Sequence, residues 1–265
     1  MLDKQAVAAS FGRAADTYDQ VAILQRAVGE KLLAMVPPGH YEQVVDLGCG
    51  TGHFLEPILE RTAPTNLLAL DIATGMLTKA SQRTHERSVS FCCADAEQLP
   101  LKDNSVDIIF ANLVLQWCPH LHDVFCEACR VLTPGGQLLF STFGPASLQE
   151  LRGAWAAVDE YVHVNTFDSM AGIQRSVNGT QLALHSETDV MVRHYSKLND
   201  LTHELKALGA HNINANRPRG LTGRARLKAL IAAYEQQSNP QKGLPATYEI
   251  YYLKLTKSDA HKSNA

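Results

Sequence analysis

Val44-Val45-Asp46-Leu47-Gly48-Cys49-Gly50-Thr51-Gly52 is the stretch from which the rest of the chain can be read. An apolar pair breaks at Asp46 into a turn holding three glycines, and a helical pattern starts near His53. This predicts a strand, a tight turn and a helix N-terminus, where free backbone N–H groups face a ligand. Glycine suits such a turn because a side chain would clash where the backbone bends and a cofactor presses on it. The spacing is not the G-x-G-x-x-G of pyrophosphate binders: Gly48, Gly50 and Gly52 alternate, and Asp46 stands just ahead of them. A carboxylate there repels phosphate and attracts a cation, so the turn suits a ligand with an ammonium or sulfonium group. Taken alone, it is equally a structural loop.

Two further acids sharpen the reading. Leu67-Leu68-Ala69-Leu70-Asp71 reads as a strand ending in a carboxylate, 19 residues past Gly52 (71 − 52). At the tip of the second strand of a doubly wound sheet, that acid is placed for both hydroxyls of a ribose. After the strand-like Val89-Ser90-Phe91-Cys92-Cys93-Ala94, the pair Asp95-Ala96 is placed for an adenine amino group. Any one acid alone could merely cap a helix. Three in register at strand ends point to a nucleoside.

The series DLGCGTG, LLALDIATGML, CADAEQLPL, DIIFANLVLQW and RVLTPGGQLLFST resembles the class I S-adenosylmethionine-dependent methyltransferases over roughly residues 40–143. The resemblance implies S-adenosyl-L-methionine as cofactor. Asp46 and the turn of Gly48, Cys49, Gly50 and Gly52 would hold its methionine end, and Asp71 its ribose hydroxyls. Ile72 would lie against the adenine, Asp95 and Ala96 at its edge, and Asn112 with Leu113 beneath the methyl group.

A chain of 265 residues, 45% hydrophobic, can bury one full core with embellishments. Its net charge of −3 makes no electrostatic case for nucleic acid or an anionic membrane. No stretch has the look of a signal peptide or the length of a membrane span. The cysteines include Cys92/Cys93 and Cys126/Cys129, whose spacings are weak for zinc, so reduced thiols and no metal are expected. The expectation is a soluble, cytoplasmic protein.

Residues 1–36 read as a helical arm, in which Phe11, Arg13 and Tyr18 suggest a lid over the cofactor. Tyr18 equally suits packing of the helix on the sheet. The domain proper is expected over residues 37–257, as an α/β, doubly wound, seven-stranded Rossmann-like sheet with its last strand antiparallel. Strands are predicted near 43–46, 66–71, 89–94, 106–112, 136–142, 190–195 and 248–255, with helices near 53–62, 74–85 and 121–132. Pro134-Gly135-Gly136 reads as a turn before the fifth strand. Beyond it, a helix is expected from Gly144 to about Tyr161, a second capped by Asp168, and a third over 198–208. A polar loop over 212–220, a helix capped by Thr222 and a disordered tail over 258–265 complete the pattern. Helical insertions near 144–165 and 197–246 should form a lid over the methyl acceptor.

Methyl transfer from a sulfonium is an in-line displacement, which proximity and exclusion of water largely promote. A phenol or carbon acceptor also needs a base; a carboxylate does not. No His-Asp pair or carboxylate dyad after strand four reads as a dedicated base, and His120 and His122 read as solvated. The insertions instead carry Arg152, Lys206, Arg217, Arg219 and Arg224, which suit an anionic acceptor or a phosphopantetheine arm with an acidic carrier protein behind it.

SFGRAADTYDQVAILQ, LVLQWC, FSTFGPASLQELRGAW, HVNTF, LKALGAHN, RGLTGRARL and LPATYEIYYL together are similar to the malonyl-acyl-carrier-protein O-methyltransferases of biotin synthesis. That resemblance implies methylation of the free carboxylate of a malonyl thioester, on malonyl-acyl-carrier protein or malonyl-CoA, giving a masked primer for pimeloyl synthesis. The family often has arginine where this chain has Thr166. Tyr18 is expected to close the cofactor pocket and Arg152 to pair with the malonyl carboxylate. A quinone precursor or a free acid such as trans-aconitate stays open as acceptor. A non-enzymatic binding module would show an eroded turn or a missing ribose acid, and neither is seen.

Overall fold

The architecture, taken from a computed structural model that describes residues 3–84, 88–210 and 223–258, follows from where the longest apolar runs lie. The N-terminal arm forms α1 (Lys4–Ala14), α2 (Tyr18–Val21) and α3 (Ile23–Met35). Then come β1 (Gln43–Leu47), α4 (Leu55–Thr62), β2 (Asn66–Asp71), α5 (Thr74–Arg83), β3 (Val89–Cys93) and β4 (Val106–Asn112). After a single 3₁₀ turn at Leu115–Trp117 follow α6 (Leu121–Val131), β5 (Leu132–Phe143), α7 (Gln149–Ala156) and α8 (Met170–Val177). The chain closes with β6 (Leu182–Tyr195), α9 (Leu198–Ala207), α10 (Arg224–Glu235) and β7 (Leu244–Lys257).

The seven strands stand in the order β3-β2-β1-β4-β5-β7-β6. β1 to β5 pair in parallel, whereas β7 runs antiparallel between β5 and β6. Parallel strands covered by helices on both faces need apolar side chains at every position. Neighbouring residues accordingly enter opposite cores: Val44, Ile108 and Leu139 join α3 and α4 on one face, while Val45, Ile109 and Leu138 join α6 on the other. Strand order reverses between β1 and β4, which opens a crevice at their carboxyl ends.

Four expectations change. Pro134-Gly135-Gly136 is a bulge inside β5, where pairing with β4 jumps from Val106↔Leu132 to Ile108↔Gln137 and Gly135 takes φ +78°. β6 starts eight residues earlier than expected (190 − 182), because it is an edge strand with every second side chain in solvent over most of its length. The helix expected from Gly144 begins only at Gln149, and α8 is capped by Ser169 rather than Asp168, its Oγ accepting from Gly172 N at 3.2 Å. The loop over 212–220 with Arg217 and Arg219, the Thr222 cap and the tail beyond residue 258 lie outside the described residues. Among the described residues, no helix is long and apolar enough to cross a membrane.

Candidate active site

The glycine turn sits at the carboxyl end of β1. Gly48 N and Cys49 N donate to Leu70 O at 2.7 and 2.9 Å, which ties the turn to β2. Gly50 N and Ala73 N donate to the two oxygens of Asp71, at 2.9 and 2.8 Å. Gly48 and Gly50 take φ +73° and +54°, a left-handed conformation that a side chain resists; at Gly48 a Cβ would also strike Val114. Burial pushes the Asp71 carboxyl up to about 6 despite the N–H groups of Ala73, Gly50 and Ile72. Asp46 is more perturbed. Burial first, and then the charge of Asp71, raise it to about 8, and its buried Oδ2 has no partner.

Most of the expected residues meet in one cleft. Gly48, Gly50, Asp71 and Ile72 form one wall; Asp95, Ala96, Asn112 and Leu113 form another, and Tyr18 adjoins both. Asp46 and Cys49 line an adjoining hollow that also meets Tyr18 and Asn112. Gly52 lies behind, where a Cβ would sit 3.0 Å from Ala80 Cα of α5. Asn112 is held from both sides: its Nδ2 donates to Gln25 O at 2.9 Å and its Oδ1 accepts from Ser141 Oγ at 2.8 Å. Leu113 follows in a left-handed conformation, φ +52°, with its N–H on Ser141. A non-glycine residue held there marks a backbone fixed by its surroundings at a working loop.

The arm covers this cleft through contacts that sequence reasoning missed. Lys4 Nζ reaches Asp95 Oδ2 and Glu97 Oε2, each at 2.6 Å. Phe11 meets Trp117 edge to face at 5.2 Å. Thr51 of the turn donates to Asp19 Oδ1 at 2.7 Å, and Arg83 and Arg26 also approach that carboxylate. Burial and the carboxylates of Asp71 and Asp19 push the Tyr18 phenol far up, so it stays protonated at neutral pH. Arg26 lines the same hollow as Asp46, and its buried Nε has no partner.

A second cleft opens beside the first. Gln25, Trp117, Phe143, His163, Glu204 and Tyr248 line it; it shares Trp117 with the first cleft and Gln25 with the Asp46 hollow. No lysine or arginine is among its described lining residues. Arg152 is placed elsewhere: its guanidinium donates to the carbonyls of Pro145 and Ser147. Thr166 lines a separate hollow with Gln116 and Thr142.

The donors fit an amino-acid-bearing nucleoside. Asp46 Oδ2 and Arg26 Nε are an acid and a base in one hollow, each with an orphaned buried atom, as the ammonium and carboxylate of a methionine end require. Residues 45–140 match the family described as methyltransferase domain. A solved S-adenosylmethionine-dependent methyltransferase from Mesorhizobium loti superposes with a TM-score of 0.54 at 18% identity, covering 86% of this chain and 96% of that one. Sheet order, antiparallel β7 and the glycine turn define the class I methyltransferase fold.

Two curated relatives narrow this. The malonyl-acyl-carrier-protein O-methyltransferase of Methylococcus capsulatus is 44% identical over 94% of this chain and 92% of its own length. The biotin biosynthesis bifunctional protein BioHC of Cellvibrio japonicus is 49% identical over 97% of this chain, which spans 51% of that protein. The chain belongs to the malonyl-acyl-carrier-protein O-methyltransferase family.

Proposed function

We propose that the protein transfers the methyl group of S-adenosyl-L-methionine to the free carboxylate of a malonyl thioester, borne by acyl-carrier protein or coenzyme A. The observation that carries this reading is the meeting of the two clefts at Trp117 and Gln25, with a zwitterion cradle on one side and, on the other, a partly aromatic cleft whose described lining holds no lysine or arginine. The product is the masked primer for pimeloyl and hence biotin synthesis. The relatives' names lend no support to a quinone-precursor or free-acid acceptor. Six unpaired cysteines suit a reducing compartment, and the cytoplasm is the proposed location.

When bound, the cofactor supplies an electrophilic methyl carbon on a sulfonium. Attack there by a carboxylate oxygen, with the carbon–sulfur bond breaking, would give a methyl ester and S-adenosylhomocysteine and would need no base from the protein. Asp46 and Arg26 hold the methionine end, Asp71 the ribose, and Ile72 with Asp95 and Ala96 the adenine. Tyr18 closes the cleft and helps keep water out. Mass spectrometry of malonyl-acyl-carrier protein incubated with enzyme and S-adenosylmethionine tests the reading. A gain of one methyl group, reversed by mild ester hydrolysis, is expected; no gain with the cofactor still bound would overturn it.

A further inference from the structure

Transfer from a sulfonium to a carboxylate destroys a pair of charges. Both groups are charged before the step and neutral after it, so charge is already fading in the transition state. A lysine or arginine fixed on the reacting carboxylate would hold the ground state more tightly than the transition state and slow the reaction. The acceptor-side cleft accords with this, since its described lining contains no such cation. Its other ionisable groups are engaged. His163 Nε2 is 2.7 Å from Asp159 Oδ1, and Glu204 Oε1 takes both Arg193 and Tyr195 OH.

Gln25 stands where the clefts meet. The residue lines both the acceptor-side cleft and the hollow that holds Asp46. Its backbone carbonyl accepts from Asn112 Nδ2 at 2.9 Å, which fixes α3 against the loop after β4. The amide itself is unspent on its oxygen side: Oε1 is buried with no donor. A carboxylate has no proton to give Oε1, but a half-turn of the amide exchanges Oε1 for Nε2, which can donate to it.

We infer that Gln25 is the neutral hydrogen-bond donor that orients the acceptor carboxylate toward the methyl carbon, in place of a cation. The amide gives direction without a charge that must be surrendered as the ester forms. This rests on the malonyl-thioester reading above.

The test compares wild type, Gln25→Glu and Gln25→Ala with malonyl-acyl-carrier protein as substrate and its methyl ester product as competing ligand. Gln25→Glu keeps shape and volume but turns the donor into an anion. It should raise KM for the malonyl thioester and lower kcat by about tenfold or more each, the scale of a lost hydrogen bond to a charged group plus repulsion. Cofactor affinity should not weaken, and the neutral methyl ester should bind as it does to wild type. Gln25→Ala should lower kcat by about tenfold with a smaller change in KM. An active wild type with an indifferent Gln25→Glu variant would overturn this inference alone, as would equal losses of affinity for anionic substrate and neutral product. A wild type that leaves the malonyl thioester unmethylated would overturn the functional reading and this inference with it.

Discussion

Lys4 Nζ lies 2.6 Å from Oδ2 of Asp95, 91 residues further along the chain, and so ties the N-terminal arm to the strand tip expected to meet adenine. Burial alone would lower the Lys4 pKa, but its bonds to Asp95 and Glu97 outweigh that and raise it. The side chains of Lys4 and Asp95 are 27% and 34% exposed, so the pair contributes only about 0.5–1 kcal/mol. Lys4→Ala should therefore open α1 about two- to fivefold more often. Amide hydrogen exchange along α1 measures this directly. Unchanged protection would mean that Phe11 against Trp117 holds the arm by itself.

Asp46 makes cofactor binding pH-dependent. With its carboxyl raised to about 8, the free protein carries a proton there at pH 7. An ammonium placed beside it favours the ionised form, so binding should release protons, and affinity should rise as pH goes from 6 to 8. Calorimetry in two buffers of different ionisation enthalpy reads the release, which Asp46→Asn should abolish while weakening affinity. The sign for stability is the reverse. A carboxyl raised in the folded state contributes most below its unfolded pKa near 4 and loses that contribution as pH climbs toward 8. Ligand-free Asp46→Asn should thus gain in Tm over wild type progressively with pH. A constant difference would show that Asp46 ionises freely.

Asp71 accepts two backbone N–H groups on its inner side and faces the cleft on the other. Asp71→Ala should weaken S-adenosylmethionine by about 1–3 kcal/mol, since hydrogen bonds to a charged acceptor are lost. It should also lower Tm modestly, because Gly50 N and Ala73 N lose their partner. Titration of the cofactor against the variant decides the matter. Normal affinity would remove Asp71 from the ribose.

The legible part of the molecule was the part buried on both faces. β1, β2 and β4 read as apolar runs because nothing else satisfies a parallel strand under two helical layers, and Asp46, Asp71 and Asn112 stood out as the first polar residues after each run. β6 was half missed because solvent bathes one of its faces, which leaves an ordinary polar alternation. Lys4, Gln25 and Arg26 were missed for another reason. Each sits on an amphipathic helix, where a polar side chain reads as a solvated face, and only the folding of the arm over the sheet brings it to the cleft. Arg152 shows the converse. Its charge was plain in the sequence, but the direction of its side chain was set by the carbonyls of Pro145 and Ser147.

Gly29 carries the tightest packing demand in the arm. A Cβ there would strike Cζ of Phe54 and stand 2.8 Å from Nδ2 of Asn112. Phe54 cannot easily retreat, since it is buried with its ring against Phe110 at 5.5 Å and against His53 at 4.9 Å. Alanine's better helix propensity would return about 1 kcal/mol, less than the overpacking costs. Gly29→Ala should be destabilised by a net of up to about 2 kcal/mol, lowering Tm by up to about 8 °C. Because the same Cβ crowds the amide that bonds Gln25 O, turnover should fall even at temperatures where the variant stays folded. A Tm at or above that of wild type would show that the Phe54 ring swings aside freely, and the fixed spacing of α3 against the loop after β4 would then need another source.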